Sequence, residues 1–237
     1  MAAVTGFVER WNTTAGTKST ASLAPTVDDL IVVIHGMSGW ASGDTSVITD
    51  DQGGVYTQIG ADPLSTGGGT GGALWISIRT TLFPATVQTI FTATNVGDTG
   101  GGLTVLFVSG MSRTGANAAL QNKGESTQTE SPVVITFGAA TQASSVIILG
   151  CLGEDNPSNL GPPTGFLELT DTGWNTPTTG IHVCSVNSGK TLSAYTYAGG
   201  SFIDHNEVGV ELDTSVPPAG WGPLLALRGN RLVMAVN

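Results

Sequence analysis

The stretch DDLIVVIHGMSGW, residues 28–40, decides between two architectures. A strand running into His-Gly is how many lipases and esterases build an oxyanion hole, and in those enzymes it belongs to an α/β fold. The other reading is a strand buried on both faces, preceded by Asp28-Asp29, with Gly36 to Trp40 as its turn. The enzyme needs a G-x-S-x-G elbow followed in chain order by an acid and a histidine. The nearest candidate is Gly110-Met111-Ser112-Arg113-Thr114 after LTVLFVS, with Asp171 and His182 or His205 downstream. Its last glycine is missing, where a side chain would obstruct the tight turn. Parallel strands also need crossovers of a dozen or more residues, and linkers such as DDQGG cannot supply them. The buried-strand reading stands. His35 shares a face with Ile31 and Val33 and is expected to be a hydrogen-bonded core or rim histidine.

Outward from that strand the chain keeps the same character. Period-2 and β-branched runs of five to eight residues alternate with turn clusters: 4–10, 19–24, 29–36, 45–49, 54–59, 73–80, 86–93 and 102–109, then 132–138, 145–151, 166–170, 179–186, 191–197, 207–213 and 230–236. Only ANAALQNKGE, near residue 116, invites a short helix. The expected fold is all-β: an antiparallel, jelly-roll-like β-sandwich. The two series also rhyme. LIVVIHG matches SVIILG, VYTQIG matches FLELTD, ALWISIRT matches GIHVCSV, TVQTIFTA matches TLSAYTY, and LTVLFVS matches EVGVELD. An internal duplication would place a break near residues 115–131. Residues 1–22 read as an N-terminal arm or edge strand, 23–216 as the sandwich, and 217–237 as a segment contacting a neighbour.

Composition narrows the function. The chain has 237 residues, 40% of them hydrophobic but only 11% charged, against an average near 25% charged. Neutral Thr, Ser, Gly and Asn must therefore cover most of the surface. Eight Lys and Arg against 18 Asp and Glu give a net charge of −10 with no basic patch, which argues against nucleic acid. No run of apolar residues is long enough for a membrane helix. MAAVTGFVERWNTT lacks the features of a secretory signal, so a chain used without export by that route is expected.

Candidate chemical sites are weak. Asp98-Thr99-Gly100 and Asp171-Thr172-Gly173 resemble the paired loops of aspartic proteases, but their contexts, NVGDTGGG and ELTDTGWN, read as turn chemistry. Asp50-Asp51, Glu154-Asp155 and Asp204 with His205 and Glu207 lack the alternating spacing of a calcium loop and read as solvated turns. Cys151 and Cys184 match no zinc pattern and read as buried thiols. No cofactor, metal or catalytic residue is expected. Trp75 sits in a strand and reads as core; Trp40 and Trp174 fall in Gly/Thr loops, where an aromatic could stack on a sugar or anchor an interface.

With the strands laid out, DDLIVVIHG, VITDDQGGVYTQIG and ALWISIRTT, followed by GLTVLFVSG and PPTGFLELTDTGW, resemble a loose family of tailed-phage structural proteins across residues 23–213. Gly54 stands where that family's hairpin usually has Asn. The resemblance implies a virion component made in the host cytoplasm. The leading expectation is a non-enzymatic capsid decoration or cement protein, present in many copies or as a homo-oligomer. Its partners would be the major capsid protein or other virion subunits, met through Val4, Phe7 and Trp11 and through Trp221, Leu224 and Leu225. The alternative is a tail or fibre module binding host glycan through Trp40 and Trp174.

Overall fold

The computed structural model describes residues 1–41, 43–59, 72–123, 132–153, 160–175, 178–199 and 205–214. The first series of strands is β1 (Ala3–Asn12), β2 (Lys18–Ser19), β3 (Leu30–Ser38), β4 (Thr45–Asp50), β5 (Tyr56–Ile59), β6 (Gly72–Arg79), β7 (Phe91–Val96) and β8 (Gly100–Ser109). A 3-10 turn at Gly115–Ala118 leads to the second: β9 (Ala119–Lys123), β10 (Val134–Thr136), β11 (Val146–Gly153), β12 (Leu167–Asn175), β13 (Thr178–Val186), β14 (Ala194–Thr196) and β15 (His205–Leu212). Every ladder is antiparallel.

The strands form four sheets: β2-β7-β4, β1-β8-β3-β6-β5, β12-β13-β11-β15-β9 and β10-β14. In the first series β1 pairs with β8, β2 with β7 and β3 with β6, the nested pairing of a jelly roll. The second repeats it, with β9 on β15, β10 on β14 and β11 on β13. Reading β9 for β1, β10 for β2, β11 for β3, β12 for β5, β13 for β6, β14 for β7 and β15 for β8, the large sheets have one order. The five sequence rhymes fall on these counterparts.

Alternation explains how the sheets stack. In β3 every residue is buried, which a strand achieves only when both faces of its sheet are covered. Leu30, Val32 and Ile34 point one way, into a core shared with Val146, Ile148, Ile181, Val183, Val208 and Val210 of the second series. Ile31 and Val33 point the other way, against Ile48, Phe91 and Phe107. Likewise β11 gives Val146, Ile148 and Leu152 to the shared core, and Ile147, Leu149 and Cys151 to a core with Ile135, Phe137, Tyr195 and Tyr197. The molecule is thus two jelly rolls back to back, four layers deep. The sheets β2-β7-β4 and β10-β14 lie outside.

Across the central interface β6 meets β15 and β11, and β1 meets β12 and β13. Because β12 is the counterpart of β5, the second sheet runs in reverse order over the first, an approximate two-fold arrangement like an isologous dimer fused into one chain. At its middle, Gly150 of β11 leaves room for Ile34, whose Cδ1 and Cγ2 would lie 3.1 Å from a Cβ there. Polar ties reinforce it. The Val4 amide donates to Asn187 Oδ1 at 2.9 Å, the Arg113 guanidinium stands 2.6 Å from Asp213, and Asn206 Nδ2 donates to the Gly72 carbonyl at 2.5 Å.

Several local expectations change. Of the expected helix ANAALQNKGE, the described residues 116–123 lie in one 3-10 turn and then β9, because pairing with β15 outweighs helix preference. The expected strand 86–93 begins later, at Phe91, with its end set by the turn at Gly97. The expected strand 19–24 shortens to β2, with an isolated bridge from Leu23 to Thr89. Asp171-Thr172-Gly173 is not a turn but the middle of β12, paired with β13. The expected strand 230–236 lies outside the described residues.

Candidate functional site

A line of buried polar groups runs beneath β2-β7-β4. His35 on β3 is fully buried, with Nδ1 2.7 Å from Ser46 Oγ, Nε2 2.8 Å from Ser77 Oγ, and its ring stacked on Trp75 at 5.5 Å. Ser46 donates to Asn95 Oδ1 at 2.7 Å, and Asn95 Nδ2 donates to Asp98 Oδ2 at 3.5 Å. Asp98 in turn pairs with Lys18 at 3.3 Å. Burial pushes the His35 pKa down to about 3, so the imidazole is neutral at physiological pH. It is a satisfied core histidine. A general base must reach a substrate proton, and this ring is fully buried with both nitrogens engaged by Ser46 and Ser77.

A second buried group organises the 50–56 hairpin. Asp50 Oδ1 accepts the Gln52 and Gly54 amides at 3.0 and 2.8 Å. Its Oδ2 accepts from Tyr56 Oη at 2.8 Å and Arg79 Nε at 3.1 Å. Burial works to raise the Asp50 pKa. The Gly54 amide, the Tyr56 hydroxyl and Arg79 outweigh it and hold it below the usual carboxylate value. The sequence reading of Asp50 as a solvated turn is therefore corrected. Gly54 follows from the same cluster, since a Cβ there would lie 2.2 Å from Asp50 Oδ2 and 2.4 Å from Arg79 Nε.

The second jelly roll concentrates its titratable groups under β10-β14. His182, fully buried, has Nε2 3.2 Å from Glu168 Oε2 and stands edge-on to Tyr197 at 5.2 Å. Burial lowers its pKa, against the opposing pull of Glu168. Cys151 lies opposite His182 and Cys184 opposite Leu149, so the thiols are diagonal neighbours on one face, both free. Burial pushes both thiol pKa values up, so both side chains are held as neutral thiols in the folded protein. His205 Nδ1 meets Glu207 Oε1 at 2.8 Å inside the protein. Ser112 follows β8 on an exposed turn, and only the 3-10 turn comes after it where an elbow would need a helix. Among the described residues no three His, Cys, Asp or Glu are placed to hold a metal, and no helix is long and apolar enough to cross a membrane.

The residues singled out for contact divide by place. Phe7, on the edge strand β1, is 40% exposed. Val4 packs against the central core. Trp11 is buried in it, with Nε1 donating to Thr104 Oγ1 at 2.9 Å. Trp40 packs with Met37, Ala73 and Trp75, and its Nε1 donates to the Asp44 carbonyl at 3.4 Å, so most of its ring is already in contact with its own chain. Trp174 lies in β12, opposite Thr179, rather than in a loop. Trp221, Leu224 and Leu225 lie outside the described residues.

Sequence reasoning missed the outer face of β2-β7-β4. Alternation turns Thr45, Val47 and Thr49 of β4 and Thr94 and Val96 of β7 outward, with Val47 and Val96 more than half exposed. Ser19 and Thr92 complete the face, their hydroxyls 2.9 Å apart. It is an open sheet surface without a charge. Its signal was present in TSVITD and FTATNV, whose alternate residues are all Thr or Val. Comparison of the chain with protein-family models, with curated proteins and with solved structures finds no match.

Proposed function

We propose that this chain is a non-enzymatic structural protein of a tailed-phage virion. In this reading it is a capsid decoration or cement protein that binds the outside of the head and strengthens the shell through protein contacts. The observation that carries the reading is the division of labour between inside and outside. The histidines, the thiols and the Asp50 and Asp98 carboxylates serve as internal partners, while the outer sheet offers neutral Thr, Ser and Val. Such a surface suits binding by area and shape, and obligate interfaces of that kind often bury more than about 2,000 Å². Jelly rolls are a fold of viral capsid domains, which supports the reading by analogy, though lectins and cupins share them. The sequence resemblance supports it independently.

The test is direct. Particles assembled without this chain are expected to lose heat stability and to regain it when purified protein is added. Particles equally stable without it, together with no binding, would overturn the proposal. Labelling on intact particles then separates head from tail: a copy number comparable to the major shell protein is expected, whereas a handful per particle would mean a tail component.

A further inference from the structure

We propose that Lys18 and Asp98 form an intramolecular amide cross-link, made by the folded chain on itself with loss of one water. The chain has three lysines, and Lys18 is 1% exposed. Its Nζ lies 3.3 Å from Asp98 Oδ2, and the side chains are 1% and 2% exposed. The carboxyl is held at both oxygens: the Gly16 amide donates to Oδ1 at 2.7 Å, and Asn95 Nδ2 donates to Oδ2 at 3.5 Å. The amine is fixed as well, donating to the Gly16 carbonyl at 2.7 Å. Asn95 is itself anchored through Ser46 to His35.

The fold does not require this pair. The counterpart of β2 is β10, where Ile135 and the neighbouring Phe137 fill the equivalent layer with apolar side chains. Burying an ammonium and a carboxylate costs more than such packing recovers unless the geometry is very good. A nucleophile held against an electrophile in a dry site is the arrangement in which proximity lowers a barrier most.

The step balances without a cofactor or oxidant. The ammonium passes a proton to Asp98 Oδ2, leaving a neutral amine beside a carboxylic acid. The Nζ lone pair then adds to Cγ, and the Gly16 N–H stabilises the negative charge gathering on Oδ1. The Cγ–Oδ2 bond breaks, and Oδ2 departs as water with its own proton and a second one from the nitrogen. Ammonium and carboxylate become one secondary amide and one water. The bond would tie β2, held to β7 by only two residue pairs, to the β7–β8 turn.

Intact mass spectrometry of the denatured full-length protein tests this, because neither a salt bridge nor a hydrogen bond survives denaturation. The expected mass is one water below that of the sequence. Trypsin should fail to cut at Lys18 and should release residues 11–79 joined to residues 80–113. Lys18→Arg keeps the charge but should restore the full mass and lower Tm. A wild-type chain at full sequence mass, cut at Lys18, would overturn the proposal. Loss of one ammonia with Lys18 joined to Asn95 would overturn the assignment to Asp98.

Discussion

His35 is held neutral by burial, and this gives the protein a definite response to acid. In the unfolded chain it titrates near its ordinary 6.5, in the folded chain near 3. Above pH 6.5 both states keep the ring neutral and its contribution is complete. Below that only the unfolded chain takes the proton, so stability falls between 6.5 and 3 by up to about 1.4 kcal/mol per pH unit. His182, lowered for the same reason, adds in the same direction. Asp50, depressed below 3.8, adds a loss only under about pH 4. Urea midpoints are expected to fall from about pH 7.5 to about pH 4.5 and to fall less steeply in His35→Gln; a midpoint independent of pH over that window would contradict the buried neutral ring. Arg79→Met leaves the Asp50 carboxylate buried without its cation and is expected to cost about 3–5 kcal/mol in chemical denaturation, where a surface ion pair would cost under about 1. The sequence made His35 legible, because alternation alone puts it with Ile31 and Val33. Asp50 was illegible for a physical reason: its partner Arg79 lies 29 residues away in the sequence, on a different strand.

At the scale of elements, interiors were easier to read than ends. The all-buried run of β3 was plain in LIVVIHG, whereas the strand expected at 45–49 was placed without its two faces being told apart. The ends of β2, β7 and β12 were set by partners the sequence does not name, as when β12 runs through Asp-Thr-Gly because β13 offers it a ladder. The contact between β3 and β11 can be tested by coupling. Gly150→Ala places a Cβ 3.1 Å from Ile34 and is expected to destabilise by about 1–3 kcal/mol. Ile34→Ala removes both crowding methyls, Cδ1 and Cγ2, so the double mutant should be more stable than the two single losses added together. Strict additivity in urea melts would deny that these strands touch. On the outer sheet, Val47→Lys with Val96→Glu should leave Tm nearly unchanged, as exposed positions do. If this face meets the capsid, the same pair should weaken particle binding at least tenfold, read by co-sedimentation, and unchanged binding would move the interface elsewhere.

For the whole molecule, the repeated strand order and the reversed stacking explain why a chain with so few charges is not two beads on a string. Each five-stranded sheet turns an apolar face to the other, so a jelly roll separated from its partner would expose Leu30, Val32 and Ile34 or their counterparts to water. Exposing a single such side chain costs about 1.5–3 kcal/mol, and several act together. The five matched phrases marked the repeat in the sequence. The stacking of its halves was not legible, because a run buried on both faces reads the same whether its second cover is a sheet of its own half or of the other. Native-state hydrogen exchange of the full-length protein measures this most directly. The four-layer account predicts that the amides of β3 and β11 share one slowest opening free energy and respond identically to added denaturant. If the β11 amides exchange through an opening that leaves β3 protected, the two halves unfold separately and the shared core is contradicted.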